Sequence, residues 1–123
     1  MLRLFSLFGR SAAQNAFDDA LRAAGVHPLL VPEAVKLTLL RLHRRAGDGT
    51  AAYADSAALL AYCMSGRDAF AEATDSAAAD HAEARLEAAI AAGDSFDAQV
   101  VLLALHAGLI APEVAEGFEI EAR

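Results

Sequence analysis

Alanine supplies 32 of the 123 residues in this chain, about one residue in four. Alanine is the strongest helix former and is depleted in β-strands, so its abundance argues against a fold built on sheets. Its small side chain also lets neighbouring helices approach closely, near the lower end of the usual spacing of roughly 8–10 Å. The sequence therefore predicts an all-α protein, a compact bundle of short helices.

Hydrophobic periodicity, with glycine and proline at the helix ends, predicts five to six helices. The predicted helices cover about 12–24, 32–46, 50–64, 76–92 and 95–109, with shorter helical turns at 67–73 and 112–116. Ser11 and Gln14 have the spacing of a capping box at the first helix. The apolar phase changes near Thr74, which predicts a helix break there and an N-cap at Asp75.

The segment of about 95–109 is the most apolar of the chain and carries apolar residues on both faces of its helical wheel. A helix of that kind is typical of a bundle centre, so we predict it to be the central helix. In the helix of about 32–46, a core stripe runs through Val35 and Leu39. Leu37 and Leu40 fall outside that stripe, among basic residues, and are expected on the surface.

A mass of 12.8 kDa fits one domain. We divide the chain into an apolar and basic segment at 1–10, a helical domain at 11–117, and a tail at 118–123 that alternates apolar and acidic residues. Arg3 and Ser6 interrupt the first apolar run, which disfavours a secretory signal, and no apolar stretch has the length of a spanning helix. These features lead us to expect a cytoplasmic protein.

The net charge of −7 is distributed unevenly along the chain. Residues 1–45 have a balance of +4, whereas residues 46–123 have a balance of −11. A nucleic-acid binder needs a basic surface to neutralise phosphates, so the acidic excess argues against that class.

The chain lacks the spacings that usually carry chemistry. Cys63 is the only cysteine, and no histidine has a histidine or an acidic residue at the helical spacing of a metal pair. Glycine-rich phosphate loops and nucleophile-elbow motifs are also missing. We therefore expect no metal and no cofactor, and the sequence favours a non-enzymatic role without deciding it.

His106 and Gln99 are the polar residues that stand out within the most apolar helix. One interpretation is a pair that orients a ligand or transfers a proton in a pocket between helices. The other, which we favour, is a buried structural histidine whose polar groups are satisfied by a neighbour.

Apolar residues that the predicted core leaves unassigned suggest a protein partner, most simply a second copy of the chain. The candidate interface residues are Leu37, Leu40, Phe5, Phe8, Phe118 and Ile120. The main hypothesis is a small interaction or regulatory protein that forms a homodimer. The alternatives are a small-molecule binder or enzyme with a pocket near His106, and a peripheral membrane protein attached through residues 1–10.

Overall fold

The computed structural model describes residues 11–120, and these residues form seven α-helices, two short 3₁₀-helices and no strand. The all-α bundle is thereby confirmed. The count exceeds five to six because the short segments near 70 and 114 are also helical. The α-helices are α1 (Ala12–Ala23), α2 (Glu33–Arg45), α3 (Tyr53–Ser65), α4 (Arg67–Ala73), α5 (Ser76–Ala92), α6 (Phe96–His106) and α7 (Pro112–Gly117). The 3₁₀-helices are Pro28–Leu30 and Thr50–Ala52.

The helix ends follow the local sequence signals. At α1, the backbone N–H of Gln14 donates to Ser11 Oγ at 3.1 Å, and the Ser11 N–H donates to Gln14 Oε1 at 3.0 Å. This is the predicted capping box. The predicted break between α4 and α5 is also present, and Asp75 caps α5 by accepting the Ala78 N–H at 2.7 Å.

Helix α3 lies at the centre of the bundle. It packs against α1, α4, α5 and α6, and most of its side chains are buried. Helix α6, the segment predicted to be central, does pack against both α3 and α5. However, its Leu102 is 45% exposed, so α6 is the outer of the two helices. Helix α6 has more apolar residues than buried positions, so some of its apolar side chains are exposed to solvent.

The expectation that Leu40 lies on the surface is wrong, because Leu40 is 5% exposed and belongs to the core. Helix α2 buries an arc that includes Lys36 and His43 as well as Leu39. The helical wheel of the sequence predicts a core face that excludes these polar residues. Since both polar side chains find partners inside the protein, the buried face is rotated toward them, and Leu40 is buried with it. Leu37 does lie outside the core, as expected.

The end of the described chain folds back onto the bundle instead of continuing as an extended strand. The Ile120 N–H donates to the Ala115 carbonyl at 2.8 Å, and Glu119 adopts a positive φ of 54°. Phe118 packs edge-on against Tyr62, with the ring centroids 6.5 Å apart. Phe118 and Ile120 are therefore half-buried against the core of their own chain. Phe5 and Phe8 lie outside the described residues.

Within residues 11–120, no single helix is long and apolar enough to cross a membrane. Helices α5 and α6 meet that length and composition only as a pair bent by 92°.

Candidate docking surface

One arginine and one glycine hold the bend between α5 and α6. Arg85 of α5 donates to both carboxylate oxygens of Asp97 in α6, at 2.8 and 2.5 Å, and its guanidinium lies 3.4 Å from Asp55 of α3. A two-point pair between planar groups fixes direction as well as distance. Gly93, at φ 78°, provides the left-handed end of α5. The backbone conformation at Gly93 and the ion pair between Arg85 and Asp97 therefore set the angle between α5 and α6 together.

That angle opens an apolar groove of about 220 Å³ between α5, α6 and the end of the described chain, which we call the α5–α6 groove. Only Glu119 among its lining residues has a charged side chain. Ile90 and Leu102 are 43% and 45% exposed there. The lining residues are Ala89, Ile90, Gly93, Ala98, Val101, Leu102, Leu105, Glu119 and Ile120.

A second groove, of about 230 Å³, lies on the other side of Leu102, between α2 and α6. We call it the α2–α6 groove, and it is lined by Thr38, Leu42, Gln99, Leu102, Leu103 and His106. Leu102 thus forms a ridge between two apolar depressions. A half-exposed leucine in such a position offers a partner both a protruding side chain and the hollows beside it.

The structure brings His106 and Gln99 together at the α2–α6 groove, but both side chains are exposed. The interpretation of His106 as a buried structural histidine is therefore wrong. Helix α6 buries the face that carries Ala98, Val100 and Ala104, and Gln99 and His106 lie on the opposite, exposed face. The volume of this groove, about 230 Å³, is below the roughly 300–1,000 Å³ that is typical of ligand pockets.

The Pro28–Leu30 turn presents two leucines that sequence reasoning passed over as a connecting segment. Leu29 is 84% and Leu30 is 64% exposed, the highest values among the large apolar side chains of the described chain. The backbone around them is nevertheless well anchored. The Leu29 N–H donates to His27 Nδ1 at 3.1 Å, and Lys36 Nζ donates to the Pro28 carbonyl at 3.3 Å. We call Leu29 and Leu30 the leucine turn.

A buried hydrogen-bond network connects α2 with α3. His43 Nε2 lies 2.7 Å from Ser56 Oγ, and His43 Nδ1 lies 3.0 Å from a carboxylate oxygen of Asp48. The His43 ring also contacts the rings of Tyr53 and Phe96 in tilted orientations, with centroids 5.0 and 4.6 Å apart. The imidazole is therefore held by two polar partners and two aromatic faces.

Ser56, His43 and Asp48 are connected in the same order as the catalytic triad of serine hydrolases. The environment of the serine, however, is different. Ser56 is 0% exposed in the middle of α3, so no substrate carbonyl can reach its hydroxyl in this structure. Ser56 Oγ also lies 3.3 Å from the Tyr53 carbonyl, to which it can donate. The network serves to join α2, α3 and the turn at Asp48. Nothing in the sequence spacing indicates that Ser56 of α3 meets His43 of α2.

Cys63 is fully buried in α3, where burial raises the pKa of its thiol to about 12. Only the thiolate reacts with disulfide reagents, and an exposed cysteine has a pKa near 8.5. We therefore expect the native protein at pH 8 to react with Ellman's reagent at least about a hundredfold more slowly than the protein unfolded in urea. Equal rates in the two states would show that α3 opens readily or that the thiol is accessible.

Among residues 11–120, no group of three or more histidine, cysteine, aspartate or glutamate side chains is placed to hold a metal ion. Comparison with known proteins finds no matching family model, no matching curated protein and no matching solved structure.

Proposed function

We propose that this chain is a non-enzymatic interaction protein that self-associates through the face of α6 on which Leu102 lies. The observation that carries the proposal is the exposure of Leu102 and Ile90 on either side of a groove whose lining is almost wholly apolar. Burial of apolar surface of this kind is the main favourable contribution to protein association.

The position of the surface also supports a docking role. Arg85 and the Gly93 turn fix the angle between α5 and α6, so the groove is already formed before a partner arrives. A pre-organised surface loses less conformational entropy on binding than a flexible one. The buried arrangement of His43 and Ser56 leaves the exposed α6 face as the stronger candidate for function.

Replacing Leu102 by aspartate should dissociate the protein. We expect the wild type to have about twice the 12.8 kDa chain mass by light scattering, and Leu102→Asp to have the chain mass itself. A charge in the centre of an apolar contact must be desolvated without a partner, so the dimer should weaken by on the order of tenfold or more. Because Leu102 is half exposed, circular dichroism should show an intact helical fold.

Leu37→Asp places the same charge on a second surface, at a leucine of α2 that is 43% exposed. It also tests our sequence-based hypothesis that Leu37 belongs to the interface. Dissociation by Leu37→Asp alone would move the interface to α2. A monomeric wild type at high concentration would contradict self-association altogether.

A further inference from the structure

We propose that the exposed face of α2 binds an anionic lipid surface, with leucines entering the headgroup boundary and arginines contacting lipid phosphates. The proposal is independent of self-association through α6, because this face shares no residue with the α5–α6 groove. We call the face, together with the leucine turn before it, the α2 surface. It consists of Leu29, Leu30, Leu37, Arg41, Arg44 and Arg45.

The three arginines of the α2 surface differ from every other lysine and arginine of residues 11–120. Arg41, Arg44 and Arg45 are exposed, and none of them forms an ion pair within those residues. The chain has 17 acidic residues against 10 basic ones, so carboxylates are abundant. The α2 surface is therefore the one place in the described chain where cations are concentrated and left without a carboxylate. The lysine and arginines that do pair with carboxylates are Arg22, Lys36, Arg67 and Arg85.

The arginines and one exposed leucine are neighbours on the helix. Residues three or four positions apart lie side by side on a helix, so Leu37, Arg41 and Arg44 form one continuous strip. Basic side chains in a last turn also interact favourably with the helix dipole, which accounts for Arg44 and Arg45. The dipole does not account for Arg41, which lies a turn earlier, or for the exposed Leu37 beside it.

Apolar side chains protrude at the other end of the α2 surface. Lys36 Nζ donates to the Pro28 carbonyl at 3.3 Å, which holds the leucine turn beside the part of α2 that carries Leu37. Leu29 and Leu30 are 84% and 64% exposed. Three of the five exposed large apolar side chains of the described chain therefore lie along α2.

This combination favours lipid over a protein partner. A protein partner would need a cavity shaped for each protruding leucine, whereas a fluid lipid surface admits protruding apolar side chains of any shape. Exposed leucines next to basic side chains are typical of proteins that lie in the membrane interface. The guanidinium group also matches phosphate oxygens with two parallel hydrogen bonds.

The acidic excess of the chain opposes binding to anionic lipid only weakly at this surface. The acidic residues nearest in sequence, Glu33 and Asp48, contact Lys36 at 3.4 Å and His43 at 3.0 Å, respectively. At physiological ionic strength, salt screens exposed charges that lie more than about 8 Å away. The unpaired arginines of α2 therefore dominate the charge that a lipid surface meets there.

Co-flotation of the full-length protein with vesicles tests the proposal. We expect the protein to bind vesicles of equal parts phosphatidylserine and phosphatidylcholine, and to bind vesicles of phosphatidylcholine alone more weakly. An arginine variant, Arg41→Gln with Arg44→Gln and Arg45→Gln, should bind the anionic vesicles on the order of a hundredfold more weakly, about fivefold for each arginine. Added salt should weaken binding of the wild type, because it screens the attraction.

Two further comparisons separate a specific surface from net charge. Arg41→Gln and Arg22→Gln change the net charge equally, and both arginines are exposed, but Arg22 lies on α1 and pairs with Asp19. Only Arg41→Gln should weaken binding, by about fivefold. A leucine variant, Leu29→Ser with Leu30→Ser, should weaken it by at least about tenfold, because two apolar side chains no longer enter the interface. Circular dichroism of each variant verifies the fold.

Several results would overturn the proposal. Wild-type protein that does not bind the anionic vesicles would do so, as would equal binding by the wild type and Arg41→Gln. If Phe5→Ser with Phe8→Ser abolishes binding while the arginine variant binds as the wild type does, residues 1–10 are the anchor instead. If the arginine variant has a different mass from the wild type by light scattering, the α2 surface is a contact between copies. None of these results depends on Leu102, so self-association through α6 is tested separately.

Discussion

Replacing Lys36 by methionine should lower the free energy of unfolding by about 3–5 kcal/mol, the usual effect of removing one partner from a buried ion pair. Lys36 Nζ lies 3.2 Å from an Asp18 carboxylate oxygen, and both side chains are more than nine-tenths buried. Without the ammonium group, the Asp18 carboxylate would remain in a low-dielectric surrounding without the cation it faces. The Pro28 carbonyl would lose the same donor.

The chain contains a matched control at its surface. Arg22 and Asp19 also approach to 3.2 Å, but their side chains are largely exposed. Exposed pairs contribute about 0–1 kcal/mol, so Arg22→Met should change stability little. Urea unfolding at pH 7 measures both variants. Similar losses of stability in Lys36→Met and Arg22→Met would show that burial does not strengthen the pair between Lys36 and Asp18.

A double variant separates the ion pair from simple packing. Lys36→Met combined with Asp18→Asn removes both charges and keeps the shape of the aspartate. The double variant should lose less stability than the sum of the two single variants, because removing both charges leaves neither buried charge without the opposite charge it faces in the wild type. Strict additivity would indicate that the two side chains do not act on each other.

Gly25→Ala should be the other severe substitution. Gly25 has φ 89°, and a Cβ atom there would lie 2.4 Å from the Cβ of Ala73. The left-handed backbone costs a residue other than glycine roughly 1–2 kcal/mol. Overpacking against a methyl group that cannot rotate away adds about 1–3 kcal/mol. We therefore expect a loss of about 2–5 kcal/mol in urea unfolding.

Gly47→Ala isolates the backbone part of that loss. Gly47 has a similar φ of 78°, but a Cβ atom there meets nothing within 4 Å. Its substitution should cost only the conformational part, about 1–2 kcal/mol. Adding Ala73→Gly to Gly25→Ala should recover the steric part, measured against Ala73→Gly alone. Equal losses at Gly25 and Gly47 would show that the contact with Ala73 relaxes without cost.

Local signals in the sequence were sufficient for the helix ends. The Ser11 capping box and the Asp75 cap each depend on a few neighbouring residues, and such interactions form wherever the chain is helical. The burial of individual helix faces was harder to predict. Amphipathic reasoning places polar residues outside, yet Lys36 and His43 are inside, because partners distant in sequence compensate them. The rotation of α2 that buries Leu40 followed from those distant pairs.

The candidate site was predicted only in part. The sequence indicated surplus apolar surface and drew attention to Gln99 and His106, which do border a groove. It did not identify Leu102 as the ridge, since that depends on how α6 is rotated about its axis by contacts with α3 and α5. The leucine turn had no signal in the sequence, because two leucines after a proline show no periodicity that would distinguish an exposed turn from a buried connection.

The central position of α3 has a consequence for how the protein is degraded. Helices from both halves of the chain rest on α3, so neither half has a core of its own. A protease cut in the turn at Gly47 would separate α1 from α3 and α2 from α6, the helices of the second fragment against which they pack. The remaining fragment would lose the packing of α1 against α3. One cut should therefore lead to complete digestion without a stable fragment, as expected for a chain that unfolds as a single unit.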